Sequence, residues 1–356
     1  MMSQTDSLPT LKQRSDVSYL DFVEGFREFI LGKGANFEQR LDDALITESV
    51  RRAQPWGDVE EIRAFVHAKP LGLLRDRLAR TQQEMKWHAL SRAFDAQRTA
   101  LVAELDAWDS RGPGRLLLDP QFEVPAYANV HFHLQPGGYF KDELSGYLYH
   151  YGTKVFFRGD NDQDQLHAKL VARVPTPEDG KVGRILDLAC SVGQSTTAFK
   201  RRFPQAEVIG IDYSAPMLRV AHRRAAMQGD EVTFAQRLVE RCGYPDAHFD
   251  LTFAFIVFHE LPLRVIRETI AEAARVTRRG GLFAVYDFLG TSTKSPFQRY
   301  HRWFDARHNG EPYSQDFCDC DFVGLLREHG FTVDAPALNE RAGGTGYMQP
   351  WFATRV

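Results

Sequence analysis

From residue 182 to the carboxyl end, short apolar runs alternate with stretches of helical periodicity, and few folds accept that pattern. The runs fall at residues 184–188, 207–211, 232–234, 250–258 and 282–288. Helical spacing occupies 193–203, 215–228 and 263–277 between them, and the tail adds runs at 331–333 and 346–354. Strands separated by helices must cross over, so they pair in parallel and both sheet faces are covered. The fold class expected is α/β.

The first run empties into a loop of small residues, Ala189-Cys-Ser-Val-Gly193, that opens a helix. Such a loop lets backbone approach a nucleotide-like ligand at a helix N-terminus. Asp212 ends the second run about 20 residues further on, where a carboxylate can take ribose hydroxyls. Asp187, Ala189, Ser191 and Gly193 stand at the marked positions of Asp-x-Gly-x-Gly-x-Gly, and three later motifs follow in order over 212–218, 248–261 and 275–282. On these residues, about 184–356 of the chain resembles the class I S-adenosylmethionine-dependent methyltransferases.

The resemblance implies a Rossmann-like sheet of seven strands, the last antiparallel, preceded by an α-helical amino-terminal region. It implies S-adenosyl-L-methionine as cofactor and S-adenosyl-L-homocysteine as product. By position, Asp187 would face the methionine amino group, and Ala189, Cys190, Ser191 and Gly193 would form a backbone cradle. Asp212 would hold the ribose, with Tyr213 and Met217 against the adenine and Phe255 beside the cofactor. The family's usual acid near residue 238 is missing, so backbone at Leu238 and Val239 is expected to meet the adenine.

Methyl transfer needs alignment and exclusion of water, and a base only where the acceptor carries a proton. His259, with Glu260 beside it, stands where the family places acceptor-side residues, so the catalytic candidates are His259 and Glu260. The competing reading makes His259 a packing or capping histidine before the helix begun by Pro262. A short strand around 130–139 would put His131 and His133 on one face. With His259 and Asp287 they form a candidate metal set; the alternative, two hydrogen-bonded histidines lining a pocket, carries no metal and is the one adopted. His133, Tyr139, Tyr147, Tyr151 and Trp303 are expected acceptor-wall residues. Residues 254–258 lack the Asn/Asp-Pro-Pro-aromatic motif of nucleobase amino methylation, and no Pro-Cys pair is present.

The remainder divides by composition. Residues 1–15 read as a disordered tail without a signal peptide; 16–114 as a helical cap or dimerisation domain; 115–177 as an aromatic-rich connecting or lid segment; and 178–356 as the cofactor-binding domain. Apolar steps of three, four and seven over 71–108 mark one long helical stripe, which Ser110-Arg-Gly-Pro-Gly114 stops. A formal charge of -3 gives no global pull on a nucleic acid. Four cysteines without a CxxC pair suit a reduced, cytoplasmic protein. No apolar stretch is long enough for a membrane span. The function expected is methyl transfer to oxygen, nitrogen or sulfur of a small organic acceptor, with a homodimer formed through the helical region. The alternatives are a methyltransferase of RNA or protein and a non-catalytic S-adenosylmethionine-binding protein.

Overall fold

The computed structural model describes residues 11–32, 34–157, 161, 163–288, 295–333 and 348–356. The expected tail therefore lies largely outside the described residues, as does the start of the expected last strand.

Eight strands build one sheet: β1 (Arg115–Leu117), β2 (Arg184–Leu188), β3 (Glu207–Asp212), β4 (Thr233–Gln236), β5 (Phe249–Phe255), β6 (Thr277–Phe288), β7 (Phe331–Val333) and β8 (Met348–Arg355). Their order is β1-β4-β3-β2-β5-β6-β8-β7. All pairings from β1 to β6 are parallel, and β8 runs antiparallel between β6 and β7. The sheet is Rossmann-like with its last strand antiparallel, as expected, but it has eight strands rather than seven. The extra edge strand, β1, is three residues of Arg-Leu-Leu with no alternation to betray it. It is admitted by Gly114, where a Cβ would stand 2.2 Å from the Val232 carbonyl oxygen.

Helices cover both faces. One face carries α7 (Gln165–Arg173), α8 (Gln194–Arg202) and α9 (Ala215–Gln228) over a core that includes Leu170, Phe199, Leu218 and Phe253. The other carries α10 (Leu263–Val276) and α13 (Phe322–Glu328), with Ile266, Ile270, Leu325 and Phe283 buried together. Full burial of each such side chain contributes about 1.5–3 kcal/mol. Helix ends obey local chemistry: Ser214 caps α9 by accepting from Met217 N–H, and Gly229 closes it at φ 75°.

The amino-terminal region folds as α1 (Arg14–Leu31), α2 (Phe37–Arg52), α3 (Val59–His67), α4 (Pro70–Asp95) and α5 (Arg98–Trp108). The long stripe over 71–108 is thus two helices, broken at Ala96-Gln97, rather than one. In place of the irregular segment expected at 115–177 stand α6 (Ser145–Phe156) and α7. Two glycines make α6 fit. A Cβ on Gly152 would lie 2.5 Å from the Trp87 ring, and one on Gly146 would lie 2.6 Å from the Pro216 carbonyl oxygen. Between β6 and β7 the chain forms α11 (Pro296–His308) and α12 (Ser314–Asp319). α11 leaves the sheet and buries Phe297, Tyr300, Trp303 and Phe304 against Leu41 and Leu45 of α2 and Ile62 and Val66 of α3. Ion pairs Arg223–Glu104 and Arg219–Asp109 tie α9 to α5 and its end.

Candidate active site

β2 has β3 on one side and β5 on the other, so the strand order reverses at its carboxyl end. A crevice opens at such a point. The loop after β2 takes left-handed backbone at Ala189 (φ 53°), Ser191 (φ 50°) and Gly193 (φ 76°), the positions where the motif has glycine. For a non-glycine residue this conformation costs about 1–2 kcal/mol. Asp212 holds the loop against that preference: its Oδ2 accepts from Ser191 N–H at 3.0 Å and its Oδ1 from Ser214 N–H at 2.9 Å. Gly193 packs so closely that a Cβ would meet the Phe234 ring at 2.7 Å.

Thr196 Oγ1 donates to Asp187 Oδ2 at 2.7 Å. Burial pushes the Asp187 carboxyl up to about 7, against that hydrogen bond and with help from the charge of Asp212. Burial likewise raises Asp212 to about 6, opposed by the backbone donors of Ser214 and Ser191. Two buried carboxyls held near neutrality favour a ligand that brings hydroxyl donors or positive charge.

A cavity of about 720 Å³ begins here. All the expected cofactor residues line it except Gly193: Asp187, Ala189, Cys190, Ser191, Asp212, Tyr213, Met217, Leu238, Val239 and Phe255. Their placement fits an adenosyl group, with acidic residues at the strand ends and apolar walls at Met217, Leu238 and Val239. The cavity continues past His259, Glu260, His133 and Tyr139 to α1, α4 and α11.

His259 lies in the turn after β5 and is fully buried. Its Nδ1 is 2.9 Å from Asp287 Oδ1 at the end of β6, while Asp287 Oδ2 accepts from Phe258 N–H at 2.8 Å. The imidazole orientation is thereby set, and Nε2 is buried without a partner among the described residues. Burial disfavours the His259 cation, but the Asp287 charge and hydrogen bond outweigh this and leave its pKa raised. No side-chain capping bond is found at the start of α10, while the buried His259 ring also packs 4.5 Å from the Phe288 ring.

His131 and His133 do not lie on a strand. Residues 132–134 form a 3-10 turn with His133 at φ 52° and Leu134 at φ 63°. Gln135 causes this by donating to the Gly138 and Ser145 carbonyls, which winds the Pro-Gly-Gly turn inward. His131 is left exposed while His133 turns into the cavity. Its Nε2 lies 3.2 Å from Glu260 Oε1, and its Nδ1 lies 3.0 Å from Glu311 Oε1, out of line for a good hydrogen bond. Burial opposes its charge, yet the two carboxylates raise His133 to about 9. Tyr139 O–H donates to Glu260 Oε1 at 2.9 Å.

The metal set considered from sequence is therefore regrouped: His131 is outside it, and Asp287 supports His259 from behind. Among the described residues, ligand atoms of His133, His259 and Glu260 do lie within 4.8 Å of one another. Glu260 in this group also accepts from Tyr139, and the Glu260 and Glu311 carboxylates raise the pKa of His133. Three expected wall residues are placed elsewhere. Tyr147 is buried and stacks on Phe94 at 6.1 Å, Tyr151 meets the Phe94 edge at 5.4 Å, and Trp303 packs in the seam with α3, donating to Glu60.

Glu311, Tyr149 and Lys86 line the cavity without having been singled out. Asn309-Gly310 marked a turn before Glu311, and Gly310 indeed approaches His131, where a Cβ would stand 2.2 Å from its carbonyl oxygen. Lys86 was readable as a charge on an apolar stripe, one turn before Leu90.

A model of the methyltransferase domain matches residues 185–281. A demethylmenaquinone methyltransferase of Thermus thermophilus is 36% identical over 108 residues, covering 30% of this chain and 47% of that protein. A trans-aconitate 2-methyltransferase of Afipia carboxidovorans is 30% identical over 135 residues, covering 38% of this chain and 49% of the relative. An uncharacterised methyltransferase of Synechocystis is 31% identical over 153 residues, covering 42% of this chain and 67% of its own length. The chain spans about half the length of the first two relatives. Sheet order, loop and relatives together make it a member of the class I S-adenosylmethionine-dependent methyltransferases.

Proposed function

We propose that this chain transfers a methyl group from S-adenosylmethionine to oxygen, nitrogen or sulfur of a small organic acceptor. The observation that carries the reading is the continuous cavity from the Asp187–Asp212 end of the sheet to the buried His259–Asp287 pair. When bound, the cofactor supplies a methyl carbon activated by a sulfonium. Asp212 holds the ribose hydroxyls, and Asp187 faces the amino group. Ala189, Cys190, Ser191 and Gly193 turn the backbone around it, and Tyr213, Met217, Leu238, Val239 and Phe255 enclose its apolar parts. His259 Nε2 takes the acceptor proton, while Asp287 fixes its tautomer and steadies the resulting cation. Glu260 and Tyr139 orient the acceptor beside His133.

α1, α4 and α11 close the cavity from above, so residues 16–114 act as a cap and 115–177 as part of its wall. A homodimer through this region is supported by exposed Phe22 and Phe29 on α1. The formal charge of -3, four free cysteines and the absence of any described helix long and apolar enough to cross a membrane favour a small-molecule partner in the cytoplasm over a nucleic acid or a membrane. Two of the relatives are named for methylating demethylmenaquinone and trans-aconitate, which supports a small organic acceptor. Calorimetry with S-adenosylhomocysteine on the wild type and Asp212→Ala, followed by a mass-spectrometric acceptor screen, tests the reading. Binding by neither protein would overturn it.

A further inference from the structure

α4 presents a buried face to the cavity, and one residue on that face does not belong to an apolar stripe. Lys86 is 2% exposed and lines the cavity. Among the described residues its ammonium has no hydrogen-bond or ion-pair partner. Its Nζ lies 4.0 Å from the centre of the Trp87 ring. Three other cations lining the cavity meet carboxylates. Arg75 meets Glu38 at 3.3 Å, Arg80 meets Glu84 at 2.6 Å, and Arg302 meets Asp305 at 2.5 Å.

A buried cation without a counter-charge is unfavourable unless something else supplies the charge. Burial, with the nearby positive charge of Arg27 added, pushes the Lys86 amine well below its usual range. Nothing in the packing requires a charge here: methionine fills the same length.

We propose that Lys86 receives a carboxylate of the acceptor, so that the enzyme selects small apolar molecules carrying one acidic group. This inference rests on the methyltransferase reading above and names its substrate class. Aromatic rings, Trp87 and Phe156 among them, line the cavity with Lys86 and His133. Trp87 Nε1 donates to the His133 carbonyl, and the Phe156 ring lies 6.0 Å from the His133 ring and 4.7 Å from the Arg27 guanidinium carbon. An arene or alkyl body fills that stretch, with its acid on Lys86 and its methylated atom at His259. A phosphate fits less well. Lys86 lies in the middle of α4, where backbone N–H groups are consumed by the helix, and phosphate sites draw on several free donors.

The test is isothermal titration of the full chain saturated with S-adenosylhomocysteine. The probes are benzoate, trans-cinnamate and 3-phenylpropanoate, each compared with its neutral amide. The acid is expected to bind at least about tenfold more tightly than the amide, as a charge-assisted hydrogen bond implies. Lys86→Met should bring that ratio close to one, and Lys86→Arg should keep the acid preferred. Lys86→Met should also bind S-adenosylhomocysteine as the wild type does and melt at an equal or higher temperature, because the buried amine without a partner is gone. Equal affinity for acid and amide in the wild type overturns the proposal, as does a preference that survives in Lys86→Met. So does the absence of binding by all three acids, or a lower melting temperature in Lys86→Met, which makes Lys86 a structural residue. Loss of S-adenosylhomocysteine binding by the wild type would instead strike the underlying methyltransferase reading.

Discussion

His259 and Asp287 lie 28 residues apart in sequence and 2.9 Å apart in space, joined Nδ1 to Oδ1 between the turn after β5 and the end of β6. The pairing leaves Nε2 as the one imidazole nitrogen free to act. His259→Ala is therefore expected to lower turnover by about 10²-fold or more without changing S-adenosylhomocysteine affinity. Wild-type turnover in that variant would remove His259 from the mechanism.

The same pair fixes a pH profile. Only neutral His259 can take a proton, and its pKa is raised above the ordinary 6.5. kcat/KM should rise with pH along a limb whose midpoint lies above 6.5. Asp287→Asn withdraws the charge that raises it, so the midpoint should move down while turnover falls. A limb that stays put in Asp287→Asn would exclude the coupling.

His133 adds a stability signature. Its folded pKa of about 9 exceeds the ordinary 6.5, so the protonated form is favoured by folding. The stabilisation is complete below about 6.5 and is lost as pH rises through about 9. Denaturant titrations across that window should show a decline in the wild type that flattens in His133→Gln. Parallel curves would mean that Glu260 and Glu311 do not hold the charge.

Cofactor affinity should depend on pH in the opposite sense. Asp187 and Asp212 have carboxyls raised to about 7 and about 6, and the ionised forms accept hydroxyl and ammonium donors best. S-adenosylhomocysteine should bind progressively more weakly as pH falls below about 7. Titrations from pH 5 to 8 check this, and an affinity independent of pH would contradict it.

Ser191 sits in left-handed backbone at φ 50°. Ser191→Gly removes the Cβ penalty, and about 1 kcal/mol of stabilisation is expected, reduced by the greater freedom of glycine in the unfolded chain. Urea unfolding measures it directly; destabilisation would show that the Ser191 side chain contributes more than its backbone strain subtracts.

The sheet was legible because its strands carry their own signature: apolar runs of fixed length, a small-residue loop and Asp212. The acceptor end was less so. β1 is too short to alternate, and α6 is disguised by its aromatic residues and by two glycines whose close neighbours, Trp87 and Pro216, lie far away in sequence. His133 was noticed, but for a strand that Gln135 prevents from forming. Glu311 became a neighbour of His133 only through a turn at Gly310. Tyr147 and Tyr151 show the converse: aromatics near a site in sequence can be claimed by packing, here by Phe94.

α11 departs from the sheet to join α2 and α3, and α4 supplies Lys86 from a helix that precedes the sheet altogether. On the proposal made for Lys86, selectivity and chemistry lie on different stretches of chain. Substitutions along α1, α4 and α11 would then redirect the enzyme to new molecules while the strands at the other end of the cavity stay untouched, which would make this scaffold a natural one for divergence and a convenient one for re-engineering.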